Sequence, residues 1–158
     1  MTTQFTSEEH TESTMSEPAE NPPEYHTLQP PKAVIECIRT PGAPLPPTDS
    51  SQAFKVNGVI YVAAQVGALP RGDLAIGQTA YFEQLFRNIE VILKAAGSGL
   101  DRIVKTTVYF TEVVHGKYKF EALYKRMLPF APPRTNIVVS RIDSRSNAQV
   151  QMEVIAVE

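Results

Sequence analysis

The chain has 158 residues, of which 42% are hydrophobic, and its 15 basic and 17 acidic side chains leave a net charge of −2. This length suits one domain with room for a tail, and the hydrophobic share is enough for a buried core. Because the charges nearly cancel and form no basic stripe, nucleic acid is excluded as the expected partner.

The cysteine and histidine content predicts no metal site. Cys37 is the single cysteine, so the chain can form neither an internal disulfide nor a CxxC metal motif. We expect Cys37 to be a buried apolar residue, because it lies among Val34, Ile35 and Ile38; a nucleophile is the alternative. The three histidines are spread along the chain and suggest neither a metal site nor a catalytic triad.

The sequence gives no sign of a membrane segment. No apolar run approaches the roughly 20 residues that span a bilayer. The acidic N-terminus lacks the positive charges and the apolar stretch of a signal peptide. A lone cysteine also fits a reducing compartment, so we expect a cytoplasmic protein without membrane contact.

The composition divides the chain into a tail and a domain. Residues 1–32 are dominated by Ser, Thr, Glu and Pro, and such a segment cannot bury enough apolar surface to offset its ordering entropy. We therefore expect a disordered tail over residues 1–32, with a docking or phosphorylation segment as the alternative, and a folded domain over residues 33–158. Residues 41–50, PGAPLPPTDS, are rich in turn formers and predict an ordered loop.

The first predicted elements are a hairpin and a helix. Residues 52–64 contain two β-favouring runs on either side of Asn57-Gly58, which is a strong signal for a two-residue turn. Apolar residues then recur at helical spacing over residues 77–96, and Gly97 is a suitable C-terminal stop.

The second half of the domain alternates strands with one more helix. Residues 103–110 are rich in β-branched and aromatic side chains and predict a strand. A second helix is expected over residues 117–128, ended by Pro129. Closing strands are expected over residues 134–142 and 149–157, joined by a polar turn.

The resulting order is β-β-α-β-α-β-β, which predicts an α+β domain with both helices on one face of a mixed sheet. The closing strands carry apolar residues that are distributed across both sheet faces: Ile137, Val139, Val150, Met152 and Val154. A second face of this kind is too apolar for solvent and indicates a subunit interface.

Four stretches, taken in order, resemble one known family. They are QAFKVNGVIYVAAQVG, RNIEVILKAAGSGLDRIVKTTVYFTE, PPRTNIVV and VQMEVIAVE. Together they are similar to the RidA, or YjgF-type, reactive-intermediate deaminases over roughly residues 33–158. The resemblance implies a chorismate-mutase-like fold, a homotrimer with active sites in the clefts between subunits, and no metal or organic cofactor. It also implies hydrolysis of enamines or imines derived from amino acids, with release of ammonia and a keto acid.

Arg134 occupies the position where this family has its substrate arginine. A guanidinium offers a planar fork that binds a carboxylate through two charge-assisted hydrogen bonds. The preceding Pro132-Pro133 stiffens the approach to the strand. We therefore expect a small substrate that carries a carboxylate or a similar anion, with Arg134 as its anchor.

The closing strand departs from the family at Gln151, where the family has a glutamate that helps to activate water. An amide can orient water, but it cannot accept a proton as a carboxylate does. Glu153 retains the family's second glutamate, and residues two apart share a strand face at a spacing of roughly 6.6 Å. Glu153 is thus a candidate for the missing base, or else a structural partner for a basic group.

The remaining site candidates are also carried over from the resemblance. Ser50 stands where members often have a tyrosine, which implies a wider pocket. Ala64 and Gln65 lie in the stretch whose backbone lines the family's cleft. Glu121 aligns near a pocket asparagine and can act as a base, repel an anionic substrate or simply be solvated. Asn136 should share a strand face with Arg134 and contact either ligand or the interface.

Three functions remain open at this stage. The first is the familiar imine deaminase, with Glu153 or Glu121 replacing the lost carboxylate. The second is a tailoring enzyme that cyclises, isomerises or dehydrates a larger biosynthetic intermediate by positioning and electrostatics. The third is a non-catalytic trimer that binds a metabolite or a protein.

Overall fold

The structure, a computed structural model, describes residues 33–112, 114–142 and 147–158. The predicted disordered tail, residues 1–32, lies outside the described residues, as does most of the turn expected between the closing strands. Neither helix in the described part of the chain is long and apolar enough to cross a membrane.

Six strands form one mixed sheet, accompanied by two α-helices and a 3-10 turn. The elements in chain order are β1 Ile35–Ile38, β2 Ala53–Val56, β3 Val59–Gln65, α1 Gln78–Ala95, the 3-10 turn Leu100–Arg102, β4 Ile103–Thr111, α2 Lys117–Met127, β5 Arg134–Val139 and β6 Val150–Val157. The sheet order is β1-β2-β3-β6-β4-β5, and only the β4–β5 pair is parallel. The predicted mixed sheet with two helices is confirmed.

Strand β1 corrects the predicted element order by adding a strand at the N-terminal side. It has four residues and pairs antiparallel with β2, so that Ile35 lies opposite Val56. Three of its four residues are exposed, and only Ile38 points into the core. The expectation that Cys37 is buried was wrong: strand alternation turns it outward, where its Sγ lies 3.3 Å from Oγ of Ser51.

The β2–β3 hairpin turns at Asn57 and Gly58, as the sequence predicted. Both residues have positive φ, 50° and 76°, which is the requirement of a two-residue type I′ turn. Asparagine and glycine reach this region at low cost, so the local sequence alone fixes this turn.

The core lies between the sheet and the two helices. Along α1, the buried stripe includes Leu85, Phe86, Ile89, Ile92 and Leu93. On β6, the alternate side chains of Val150, Met152, Val154 and Ala156 pack into the same cluster. Alternation along β6 leaves Gln151, Glu153 and Ile155 on the other, open face of the sheet.

The open face is mixed in character. Of the apolar residues expected across both faces, Val150, Met152 and Val154 all lie on the helix face and are buried. Ile137 lies opposite Tyr109 in the β4–β5 ladder and so belongs to the open face. This face also carries Lys105, whose Nζ donates to Oγ1 of Thr135 at 3.3 Å, so it is less uniformly apolar than the sequence suggested.

Candidate functional site

Arg134 begins β5, the edge strand on the parallel side of the sheet. The backbone N–H of Thr106 in β4 donates to the carbonyl of Pro133 at 3.0 Å, which fixes the start of the strand. Thr106 pairs with Arg134 on one side and with Val154 on the other, so all three side chains share the helix face. The Arg134 side chain is 23% exposed and lies against helix α2.

Glu121 of α2 binds the guanidinium end-on. Nη1 of Arg134 donates to Oε2 at 2.8 Å and Nη2 donates to Oε1 at 3.2 Å, which is the two-point geometry typical of a guanidinium–carboxylate pair. The Glu121 side chain is 37% exposed. Glu121 is therefore a direct partner of Arg134, which contradicts the interpretation that Glu121 is simply a solvated helix residue.

The ring of Tyr124 packs against the same guanidinium. Its ring lies 4.5 Å from Cζ of Arg134, within the range of a cation–π contact, and its hydroxyl is 2.7 Å from Oγ1 of Thr106 in the buried layer. Burial raises the pKa of Tyr124, whereas the Thr106 hydrogen bond and the charge of Arg134 act in the opposite direction. Sequence reasoning gave Tyr124 no role, although its i+3 spacing from Glu121 places both on one helix face.

A cavity of about 690 Å³ opens on the other side of the sheet. Its walls come from the loop after β1, from β2 and β3, and from β6. Among its lining residues are Arg39, Ser50, Tyr61, Ala63 and Glu153. The volume falls within the range of ordinary small-molecule sites.

The proline-rich loop beside this cavity is held by one buried glutamine, Gln52. Its Nε2 lies 3.0 Å from the carbonyl of Thr40, 3.2 Å from that of Ala43 and 3.0 Å from that of Pro44. Its Oε1 accepts the backbone N–H of Thr40 at 2.6 Å. Gln52 itself is 1% exposed, its bond to Ala43 is buried and the other three bonds are part-buried, and together they fix the loop. The predicted ordered loop over residues 41–50 is confirmed.

Two carboxylates line this cavity, Glu153 of β6 and Asp49 of the loop between β1 and β2. Desolvation raises the pKa of the neighbouring Tyr109, and the charge of Glu153 together with a hydrogen bond to it adds to the shift. Gln151 lies two residues earlier on the same strand face, opposite Tyr109 in the β4–β6 ladder. Around Glu153, the open face therefore brings together a carboxylate, the phenol of Tyr109 and the neutral amide of Gln151.

The other predicted site residues, Ala64, Gln65 and Asn136, do not line this cavity. Gln65 is buried, and its amide donates to the carbonyl of Ala63 at 2.9 Å. Ala63 lines the cavity, whereas Ala64 and Gln65 are not part of its wall. Asn136 shares the helix face with Arg134, as predicted, since it lies opposite Val108, and it is exposed.

Within one chain, the predicted site residues form two groups on opposite faces of the sheet. Thr107 follows Thr106 in β4 and pairs with Glu153, so Glu153 faces away from Arg134. The first group joins Arg134 to Glu121 on the helix face. The second joins Glu153 to the cavity that contains Ser50 on the open face. One chain therefore keeps the guanidinium of Arg134 and the carboxylate of Glu153 on opposite faces of the sheet.

Among the described residues, no group of three or more His, Cys, Asp or Glu side chains is arranged to hold a metal ion. His115 is exposed, and its backbone N–H donates to Oε1 of Gln149 at 3.1 Å.

The fold defines the class of protein as a small α+β domain with a six-stranded mixed sheet and two helices on one face. Comparison with known proteins then gives the family. A family model described as Endoribonuclease L-PSP matches residues 40–158. The chain belongs to this family, which includes the RutC and RidA/YjgF proteins, and the resemblance found in the sequence is thereby confirmed.

Three relatives illustrate the match. A RutC family protein of Aquifex aeolicus is 35% identical over 124 residues, which cover 77% of this chain and 98% of the relative. The chloroplastic Reactive Intermediate Deaminase A of Arabidopsis thaliana is 28% identical over 123 residues, covering 77% of this chain and 65% of that protein. The crystal structure of yeast Mmf1 superposes with a TM-score of 0.73 at 31% identity, covering 79% of this chain and 99% of that one.

Proposed function

We propose that this chain hydrolyses a small imine or enamine that carries a carboxylate, as a deaminase of reactive intermediates. Membership of the family and the name of the Arabidopsis relative support this reaction class. The observation that carries the proposal is the guanidinium of Arg134, half-buried and stacked on Tyr124. A guanidinium held in this way is suited to bind the carboxylate of a substrate.

The complete site requires a second copy of the chain. Arg134 and Glu153 point from opposite faces of one sheet, so a single chain does not bring them to one small substrate. Strand β5 is an edge strand, and its residues Thr135 to Val138 are all exposed. In a homotrimer of the kind that the resemblance implies, Arg134 of one subunit completes the Glu153 cavity of the next.

The chemistry follows from these roles. Arg134 binds the substrate carboxylate, and Asn136 on the same strand face adds a polar contact. Glu153 takes a proton from a water molecule, while Gln151 orients that water through its amide. The water oxygen bonds to the imine carbon, and the nitrogen takes up the proton that Glu153 removed, which gives a carbinolamine. Glu153 then passes the hydroxyl proton of the carbinolamine to the nitrogen, the carbon–nitrogen bond breaks, and the keto acid and ammonia are released. Ser50 and Ala63 shape the cavity wall and take no proton.

A second candidate function is favoured by the size of the cavity. A volume of about 690 Å³ exceeds the need of a three-carbon imine, and Ser50 leaves its wall open. Such a site suits a larger biosynthetic intermediate that is cyclised, isomerised or dehydrated by positioning and electrostatics.

The test measures ammonia and pyruvate release from 2-aminoacrylate generated in situ from an amino acid. The native chain is compared with Arg134→Ala, Gln151→Glu and, as a matched control, Arg126→Ala on the exposed side of α2. We expect acceleration by the native chain and by Arg126→Ala, and loss of acceleration in Arg134→Ala. An inert native chain that gains activity with Gln151→Glu favours the larger-substrate enzyme. If Gln151→Glu is also inert while pyruvate still binds, the non-catalytic trimer is favoured.

A further inference from the structure

Glu121 occupies the part of Arg134 that a ligand carboxylate would use. The two-point contact, at 2.8 and 3.2 Å, involves both terminal nitrogens of the guanidinium. A carboxylate ligand approaching the same edge must displace Glu121. One approaching the Nε side leaves Glu121 in place, but it then brings two negative charges close together.

We propose that Glu121 makes the Arg134 site selective for carboxylates that carry an adjacent positively charged N–H group. This inference rests on the proposed function, in which Arg134 is the carboxylate anchor. A protonated imine or an α-amino acid presents such a group beside its carboxylate, and Glu121 accepts a hydrogen bond from it. A 2-oxo acid has no N–H to offer, so Glu121 only competes with it.

Two features make Glu121 suited to this role. Its side chain is 37% exposed, so one side of its carboxylate is open to a ligand even while Arg134 is bound. Tyr124 stacks under the guanidinium at 4.5 Å and holds Arg134 independently of Glu121. Removal of the Glu121 charge therefore leaves Nη1 and Nη2 of Arg134 available to a ligand, while Tyr124 still holds the guanidinium in place. In the proposed reaction, this selectivity retains the charged imine and expels the oxo-acid product.

The test compares the dissociation constants of alanine and pyruvate by NMR titration. Alanine stands in for the protonated imine, and pyruvate is the product without an N–H group. The proteins are native, Glu121→Gln and, as a control with the same charge change, Glu83→Gln on α1, where Glu83 makes only an exposed ion pair with Arg126. We expect Glu121→Gln to shift the alanine-to-pyruvate affinity ratio by about 10-fold in favour of pyruvate. Glu83→Gln should leave the ratio at its native value.

Loss of a charge-assisted contact should change the alanine-to-pyruvate affinity ratio about tenfold. A ratio in Glu121→Gln that stays within about twofold of the native value therefore overturns the inference. Arg134→Ala separates this failure from a failure of the proposed function. If Arg134→Ala weakens both ligands while the ratio in Glu121→Gln is unchanged, only the Glu121 inference fails. If Arg134→Ala weakens neither ligand, Arg134 is not the anchor, and both proposals fail. Should Glu121→Gln not fold, Glu121→Ala removes the same carboxylate and must shift the ratio in the same direction.

Discussion

The hydroxyl groups of Tyr124 and Thr106 meet at 2.7 Å in the buried layer directly beneath Arg134. This bond joins helix α2 to strand β4, and it fixes the ring on which the guanidinium lies. The guanidinium of Arg134 at the sheet edge is therefore held by the core of its own chain, before any ligand or second subunit is present.

Tyr124→Phe separates the stability of this layer from its role in binding. The change leaves the Thr106 hydroxyl buried without a partner, so we expect the free energy of unfolding to fall by about 1 to 2 kcal/mol. The ring still supports Arg134, so pyruvate affinity should stay within about twofold of native. Urea unfolding and NMR titration measure the two effects. Tyr118→Phe, on the exposed face of α2, is the control and should change neither. A large affinity loss in Tyr124→Phe would show that the hydroxyl itself positions Arg134.

Gln52→Ala should loosen the loop beside the cavity. The substitution removes the amide that bonds to Thr40, Ala43 and Pro44, and it leaves one buried and three part-buried backbone contacts unmade. We expect the free energy of unfolding to fall by about 2 to 4 kcal/mol, and residues 41–50 to become sensitive to protease. Lys94→Ala is the control, because Lys94 is 65% exposed and makes a single exposed bond to Glu90 at 2.6 Å. Equal stability losses in the two variants would contradict the role given to Gln52.

Tyr81 should make the fold sensitive to alkaline pH. This side chain is 8% exposed, its hydroxyl donates to the carbonyl of Val150, and burial raises its pKa from 10.0 to about 12. The unfolded chain therefore loses this proton at lower pH than the folded chain does. The stabilisation is fully present below pH 10, and it is lost as the pH rises towards 12.

The expected loss between pH 10 and pH 12 is about 2 to 3 kcal/mol, from two units at 1.36 kcal/mol each. Urea unfolding across this range, with native protein and Tyr81→Phe, isolates the contribution of Tyr81. The variant starts from a lower stability at neutral pH but should decline less steeply above pH 10. Parallel declines in the two proteins would mean that Tyr81 does not titrate with folding.

The elements set by local sequence could be predicted, whereas those set by long-range pairing could not. The Asn57-Gly58 turn and the apolar stripe of α1 depend on neighbours within a few residues. Strand β1 has only four residues, and it is defined by its register against β2. The exposure of Cys37 follows from that register, so the apolar neighbours of Cys37 in the sequence wrongly predicted that it is buried.

The same distinction applies to the candidate site. The motif placed Arg134 at the start of a strand, and Glu153 correctly shares a face with Gln151. The face on which each lies depends on β4, where Thr106 pairs with Arg134 and the next residue, Thr107, pairs with Glu153. No local pattern reveals this one-residue offset, which divides the site between two faces. The contact between Glu121 and Arg134 likewise depends on how α2 packs beside β5.

The division of the site between subunits is most directly tested by mixing two defective chains. Arg134→Ala and Glu153→Gln are each expected to lose imine hydrolysis, since each lacks one half of the site. After joint unfolding and refolding, random trimers should recover about a quarter of native activity, because one interface in four pairs an intact Arg134 with an intact Glu153. Recovery of ammonia and pyruvate release to that level is the predicted result. If native protein is active and both variants fold, but the mixture stays as inactive as either variant alone, the account of a shared site is contradicted.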